Sequence, residues 1–240
     1  MGFLRRRFAD KGWEREDNQI FIFGFSRGSY AARRLAGLIT QCGIPVKAGD
    51  LDIAWQLYLK QDMQSTQALK DSGRLFDVSI EMLGVWDTVK TTTDSDFHDN
   101  LLPESVIKGY HAMAIDEKRL FFPVLQWQAD PRIIQTWFSG VHSDVGGGYD
   151  ACGLSDCALV WMIDHAYKHG MRVKASAVKK LKKDACDTLH DSYDGIWKAF
   201  GIKVRSIADS AVIDVSTQER VEKVADYNPD NLPTEPKYKT

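Results

Sequence analysis

The sequence has little cysteine: four residues, Cys42, Cys152, Cys157 and Cys186, in a chain of 240. They form no C-x-x-C pair and no disulfide framework, which excludes a cystine-stapled scaffold and suits a reducing compartment with the thiols as small core residues. No apolar run approaches the roughly 18 residues of a membrane span. Charge of one sign is not in excess either: the net charge of -2 gives no global attraction to nucleic acid or an anionic membrane, so no nucleic-acid partner is expected. The opening MGFLRRRFADKGWERED has arginines but no apolar h-region, so it is not a secretory signal. The expected location is the cytoplasm of the producing cell, with export left to a secretion system that needs no cleaved signal. No internal repeat is visible. What is there, 44% hydrophobic and 27% charged residues, is ordinary for a soluble globular protein. The length suits one domain over residues 19–240, behind a basic, polar segment at 1–18.

The chain is organised around Gln19 to Thr40, QIFIFGFSRGSYAARRLAGLIT. Gln19 to Phe25 reads as a strand buried on both faces of a parallel sheet. Gly24-Phe25-Ser26-Arg27-Gly28 is a G-x-S-x-G pentapeptide, and from Ser29 the apolar period changes from 2 to about 3.6. Ala31, Ala32, Leu35, Leu38 and Ile39 would line one helix face, which Gly43 and Pro45 end. Strand, sharp turn and helix with serine at the apex is the context of a nucleophile elbow. There Ser26 takes a strained backbone conformation, and Gly24 and Gly28 leave out side chains where strand and helix crowd together. The alternative is a small-residue turn with no chemistry.

Further on, Asp50 to Asp71 reads as one helix ended by Ser72-Gly73. Phe76 to Val85 reads as a strand running into Trp86-Asp87-Thr88. Lys90 to Asn100 is a polar loop with acidic residues around His98, lacking the spacing of an EF-hand calcium loop. Pro103 to Lys118 is helix-like, with Val106, Tyr110, Met113 and Ala114 on one face. Arg132 to Phe138 is a strand leading to Gly140, His142, Asp144 and the run Gly146-Gly147-Gly148. Ser155 would cap a helix over Asp156 to His169 that Gly170 closes. Beyond residue 174 only an Ile202 to Ile207 strand candidate stands out. This order argues for a layered α/β domain with a mostly parallel sheet.

A serine hydroxyl needs a base in hydrogen-bond reach, and that base needs a carboxylate to fix its tautomer. In an elbow fold the groups follow the order serine, acid, histidine on loops at strand carboxyl ends. His111, His165 and His169 fall in predicted helices, His98 in an acidic loop and His190 after no clear strand. His142 alone follows a predicted strand, and it is the expected base. Asp87, ending the LGVWD strand, is the expected acid. Asp144 is the rival, with bracing of the His142 loop as its other role. The backbone N–H of Arg27 would supply one oxyanion donor. The second normally comes from a loop after an earlier strand, and the 18 residues before the elbow strand leave no room for it. The sheet is therefore expected to be incomplete at its N-terminal side.

FIFGFSRGSYAARRLAGLI, LGVWDTV, HAMAIDEKR, WFSGVHSDVGGGY, GLSDCALVWMID, LHDSYDG and YNPDNLP, spread from Phe21 to Pro233, resemble the catalytic domain of the type VI secretion lipase effectors. This is an α/β-hydrolase family with phospholipase members. The resemblance implies a three-layer α/β-hydrolase-like fold and a triad at Ser26, Asp87 and His142. It also implies phospholipid acyl esters as substrate, without metal or cofactor. The implied partners are a target membrane, secretion-spike components and an immunity protein. The family's upstream strand and Asp-Gly-Thr-like loop have no counterpart, so the chain resembles the C-terminal portion of a member. Two rival readings follow from the residues. One is a catalytically inactive fragment or interaction domain that keeps the architecture. The other is metal-dependent phosphoester hydrolysis through Asp87, His142 and Asp144.

Overall fold

A computed structural model of the chain describes residues 18–89 and 100–240. The basic N-terminal segment and the acidic loop around His98 thus lie outside the described residues, Asn18 and Asn100 excepted. Six strands form one sheet in which every neighbouring pair is parallel. In sheet order they are β1 (Phe21–Phe25), β4 (Ile80–Trp86), β5 (Val106–Ala114), β6 (Ile133–Phe138), β7 (Val212–Asp214) and β8 (Lys237–Lys239). Two two-residue strands, β2 (Ile44–Pro45) and β3 (Leu75–Phe76), pair antiparallel apart from it.

Helix α1 (Arg27–Cys42) covers one face of the sheet. Its Ala32, Ala36 and Ile39 pack on Ile20, Ile22, Leu83 and Val85. On the other face α5 (Gly153–Lys168) lays Ala158, Trp161 and Met162 over Met82, Tyr110, Ala112 and Phe138. Alternate residues of the strands thus feed two cores, which makes the three layers. Gly84 lets α5 approach: a Cβ there would come within 2.7 Å of the Met162 sulfur.

Several expected elements differ. β5 occupies the stretch read as a helix over Pro103 to Lys118. Every residue from Gly109 to Ala114 is buried, so both faces are apolar and the period of 2 that marks a strand is lost. The expected helix over Asp50 to Asp71 is two, α2 (Asp50–Lys60) and α3 (Met63–Asp71). Gln61 takes a left-handed conformation, and the Asp62 carboxylate caps the second by accepting from the Ser65 N–H at 3.0 Å. Ile202 to Ile207 forms no strand beyond one isolated bridge at Ile202. β1 lies at the edge of the described sheet, and Phe23 in it is exposed. Of the thiols, Cys42 and Cys157 are core residues as expected, while Cys152 and Cys186 are exposed. Between β6 and α5 sits the five-residue helix α4 (His142–Gly146), and α7 (Val215–Lys223) follows the single-turn helix α6 (Ala175–Val178) and β7.

Candidate active site

Parallel pairing brings the carboxyl ends of β1, β4, β5 and β6 to one rim, since Phe25 is in register with Trp86, Trp86 with Ala112 and Ala114 with Phe138. Ser26 follows β1, Asp87 follows β4, and His142 lies four residues after β6. That rim is where α/β folds place their chemistry.

Ser26 has φ 58° and ψ -124°, a backbone state that costs a non-glycine residue energy and is held only by its surroundings. The Ser26 N–H donates to the Trp86 carbonyl at 3.0 Å. The buried Ser29 hydroxyl lies 2.6 Å from the Gly24 carbonyl and 2.8 Å from that of Trp86, joining helix, elbow and β4. A Cβ on Gly24 would meet the Gly28 carbonyl oxygen at 2.4 Å, whereas one on Gly28 would meet nothing within 4 Å. Crowding therefore demands glycine at Gly24 alone. The expectation for Gly28 is corrected, because a Cβ there would stand in open space. Arg27 is the first residue of α1, where backbone N–H groups have no acceptor within the helix.

The Ser26 hydroxyl lies 2.8 Å from His142 Nε2, and His142 Nδ1 lies 2.6 Å from Asp87 Oδ2. With Nδ1–H donating to the carboxylate, Nε2 carries the lone pair that faces the serine hydroxyl. The imidazole is held between the rings of Phe25, at 4.6 Å, and Phe122, at 5.2 Å. Its backbone N–H donates to Glu117 at 3.3 Å.

Asp87 is fully buried, also at positive φ (39°). Burial would raise its pKa, but the Arg205 charge and the hydrogen bonds from His142 and Arg205 outweigh that. The carboxyl is held well below the usual carboxylate range. Arg205 Nη1 donates to Oδ1 at 2.6 Å and Nη2 to Oδ2 at 2.9 Å, and the Ala114 N–H donates to Oδ1 at 3.0 Å. Next to it, His111 on β5 accepts the Thr88 N–H at Nε2 (3.1 Å) and faces Gln135 through Nδ1. Burial first, then the Arg33 charge, pushes its pKa down to about 3, so it is a neutral prop for the Asp87-Thr88 turn. It is not the helical histidine the sequence suggested.

Asp144 does not share the site with Asp87. Its carboxylate accepts from His190 Nδ1 at 2.6 Å, from the His190 N–H at 3.2 Å and from the Val141 N–H at 3.0 Å. It braces the start of α4, and His190, set aside on sequence grounds, is its partner, stacked on Tyr149 at 3.7 Å. Among the described residues no three His, Cys, Asp or Glu side chains are grouped to hold a metal ion. Beside the elbow an apolar cavity of about 280 Å³ opens between Phe23, Phe25, Trp86, Val145 and Leu159.

Arg205, Glu117, His111 and the two rings on His142 were missed from the sequence. The one available signal for Arg205 was an arginine inside an apolar stretch (IKVRSI), since an arginine buried there needs a charged partner. Nothing in the sequence names that partner.

Fold and rim define the chain as an α/β protein with its candidate site at the carboxyl ends of a parallel sheet. It matches the family "T6SS, Phospholipase effector Tle1-like, catalytic domain" over residues 6–165, and it belongs to that family. The matched stretch includes Ser26, Asp87 and His142. An uncharacterized protein of Saccharomyces cerevisiae, YEL023C, is 30% identical over 135 residues, which is 48% of this chain and 20% of the yeast protein. Two solved structures are similar. One is the Tle1 effector bound to the VgrG spike from the type 6 secretion system, at 24% identity and TM-score 0.35, covering 55% of this chain and 25% of that one. The other is an uncharacterized protein from Pseudomonas aeruginosa, at 19% identity and TM-score 0.41, covering 69% and 26%. The matches span between a fifth and about a quarter of these relatives' own lengths.

Proposed function

We propose that the chain is a serine hydrolase of carboxylic esters, acting on the acyl esters of phospholipids. The observation that carries this reading is the continuous contact from the Ser26 hydroxyl through the His142 ring to Asp87, at 2.8 and 2.6 Å. Ser26 Oγ attacks the acyl carbonyl while His142 Nε2 takes its proton. Asp87 holds the ring's Nδ1–H and stabilises the imidazolium that forms. The Arg27 N–H donates to the carbonyl oxygen as it becomes an oxyanion. Collapse of the tetrahedral intermediate expels the alcohol, which His142 protonates. Water, deprotonated by His142, then cleaves the acyl-serine. The scheme uses no cofactor. Membership of a phospholipase effector family supports a lipid ester over other acyl compounds, and the apolar cavity beside the elbow suits an acyl chain. By the same membership we infer a target membrane, secretion-spike components and an immunity protein as partners, with the single domain spanning residues 19–240. Among the described residues no helix is long and apolar enough to cross a membrane.

Covalent labelling with a fluorophosphonate probe tests the reading without a choice of lipid. The wild-type chain is expected to label, and Ser26→Ala and His142→Ala are expected to abolish labelling while keeping the circular dichroism of the wild type. A folded chain that does not label would refute the assembled nucleophile and favour a hydrolase-like domain without catalysis. Release of fatty acid from phospholipid vesicles, lost in Ser26→Ala, is the next measurement.

A further inference from the structure

Arg205 is 4% exposed at its side chain, yet it lies in an irregular segment 118 residues from its partner. Its fork spans both oxygens of Asp87. Nη1 also donates to the Ala114 carbonyl at 2.7 Å and Nη2 to that of Phe122 at 2.9 Å. Its own backbone is pinned by Asn231, whose Nδ2 donates to the Arg205 and Ile115 carbonyls at 3.1 and 3.0 Å. A carboxylate held by His142 and one backbone N–H alone could swing about its last torsion. A bidentate guanidinium fixes its plane.

We propose that Arg205 is a positioning residue of the Ser26–His142–Asp87 arrangement, holding Asp87 in the plane and the ionised state that His142 requires. The proposal rests on the serine-hydrolase reading. It carries a consequence in charge. Asp87 and Arg205 together are neutral, so a proton on His142 leaves the buried group at +1, where an acid without an arginine partner would leave it at zero. Removing Arg205 takes away the charge that keeps the Asp87 carboxyl below the usual carboxylate range, so the acid limb of the reaction moves to higher pH. Other charged and titratable groups also surround the ring and are common to wild type and variants. These are Glu117 and Arg119 after β5, His111 with Arg33 behind Asp87, and Asp144 with His190 at α4.

The test is the fluorophosphonate labelling rate of the chain as a function of pH, in wild type, Arg205→Met, Arg205→Lys and Ser26→Ala. In Arg205→Met the acid limb is expected to move up by about one pH unit or more. In Arg205→Lys the charge remains and the fork is lost, so the limb stays near its wild-type position. The maximal rate there falls by about tenfold or more, as a misplaced catalytic group costs. A folded Arg205→Met with an unmoved limb overturns the proposal. If that variant does not fold, Arg205→Lys decides, and a wild-type maximal rate there overturns it. Labelling that survives in Ser26→Ala, or fails in wild type, sinks the hydrolase reading itself. A serine-dependent label with an unmoved limb sinks only the role of Arg205.

Discussion

Replacing Gly24 by alanine puts one methyl group between β1 and the first turn of α1. The new Cβ would stand 2.4 Å from the Gly28 carbonyl oxygen, 2.6 Å from the Gly28 carbonyl carbon and 2.7 Å from the Ser29 nitrogen. All three are backbone atoms, so no side chain can turn away. Ordinary contact begins near 3.4 Å, so strand and helix must part by about 1 Å, a strain of the kind that costs about 1–3 kcal/mol in a packed interior. Ser26 sits between the two displaced segments, and its 2.8 Å contact to His142 takes up the shift. A displacement near 1 Å at a reacting group lowers rate by about 100-fold. Gly28→Ala is the control in the same pentapeptide. Its Cβ has open space, and alanine for a helical glycine stabilises by up to about 1 kcal/mol. Urea unfolding and the fluorophosphonate labelling rate read both effects. Opposite signs in stability are expected, with the rate collapsing in Gly24→Ala. A Gly24→Ala protein with wild-type stability and a labelling rate within twofold would refute the close-approach argument.

Two other outcomes follow from buried polar groups. His111, with its pKa pushed down to about 3 by burial and by Arg33, binds fewer protons folded than unfolded. Stability is therefore lost as pH falls below the unfolded value, and about 2 kcal/mol should be gone by pH 5. The lowered carboxylates, Asp87 among them, titrate below that window. His165, down to about 4, adds in the same direction. His111→Gln keeps an acceptor for the Thr88 N–H, so unfolding free energies between pH 7 and 5 should fall less steeply in it. An equal slope would show that His111 is not held neutral. Asp144→Ala leaves the Val141 and His190 N–H groups and the His190 ring without their carboxylate, and should destabilise by about 2–4 kcal/mol. Labelling at 10 °C, where the variant stays folded, should fall because α4 carries His142. A rate equal to wild type would mean that Asp144 supports only the 190 loop.

Local sequence determined the elbow. An apolar strand, a glycine whose side chain would strike the next turn, and a helical period beginning at Ser29 are all features of contiguous residues, and no distant contact overrides them. Asp87 and His142 were legible for a related reason. Each follows a buried strand, and a parallel sheet must bring strand ends to one rim. The misreadings come from long-range packing. β5 looked helical because a strand buried on both faces carries no alternation, and only its neighbours β4 and β6 decide its state. The helix over Asp50 to Asp71 broke at a residue whose left-handed turn no pattern announces. His111, His190, Glu117 and Arg205 were invisible as site residues because each acts through a partner 23 to 118 positions away. A buried charge is tolerated only where the fold supplies its counter-charge, and the sequence order of Asp87 and Arg205 contains no trace of that meeting. The sequence by itself therefore determined which groups stand at the rim. Tertiary structure alone decided what His142 touches, what holds Asp87 and which arginine is buried beside it.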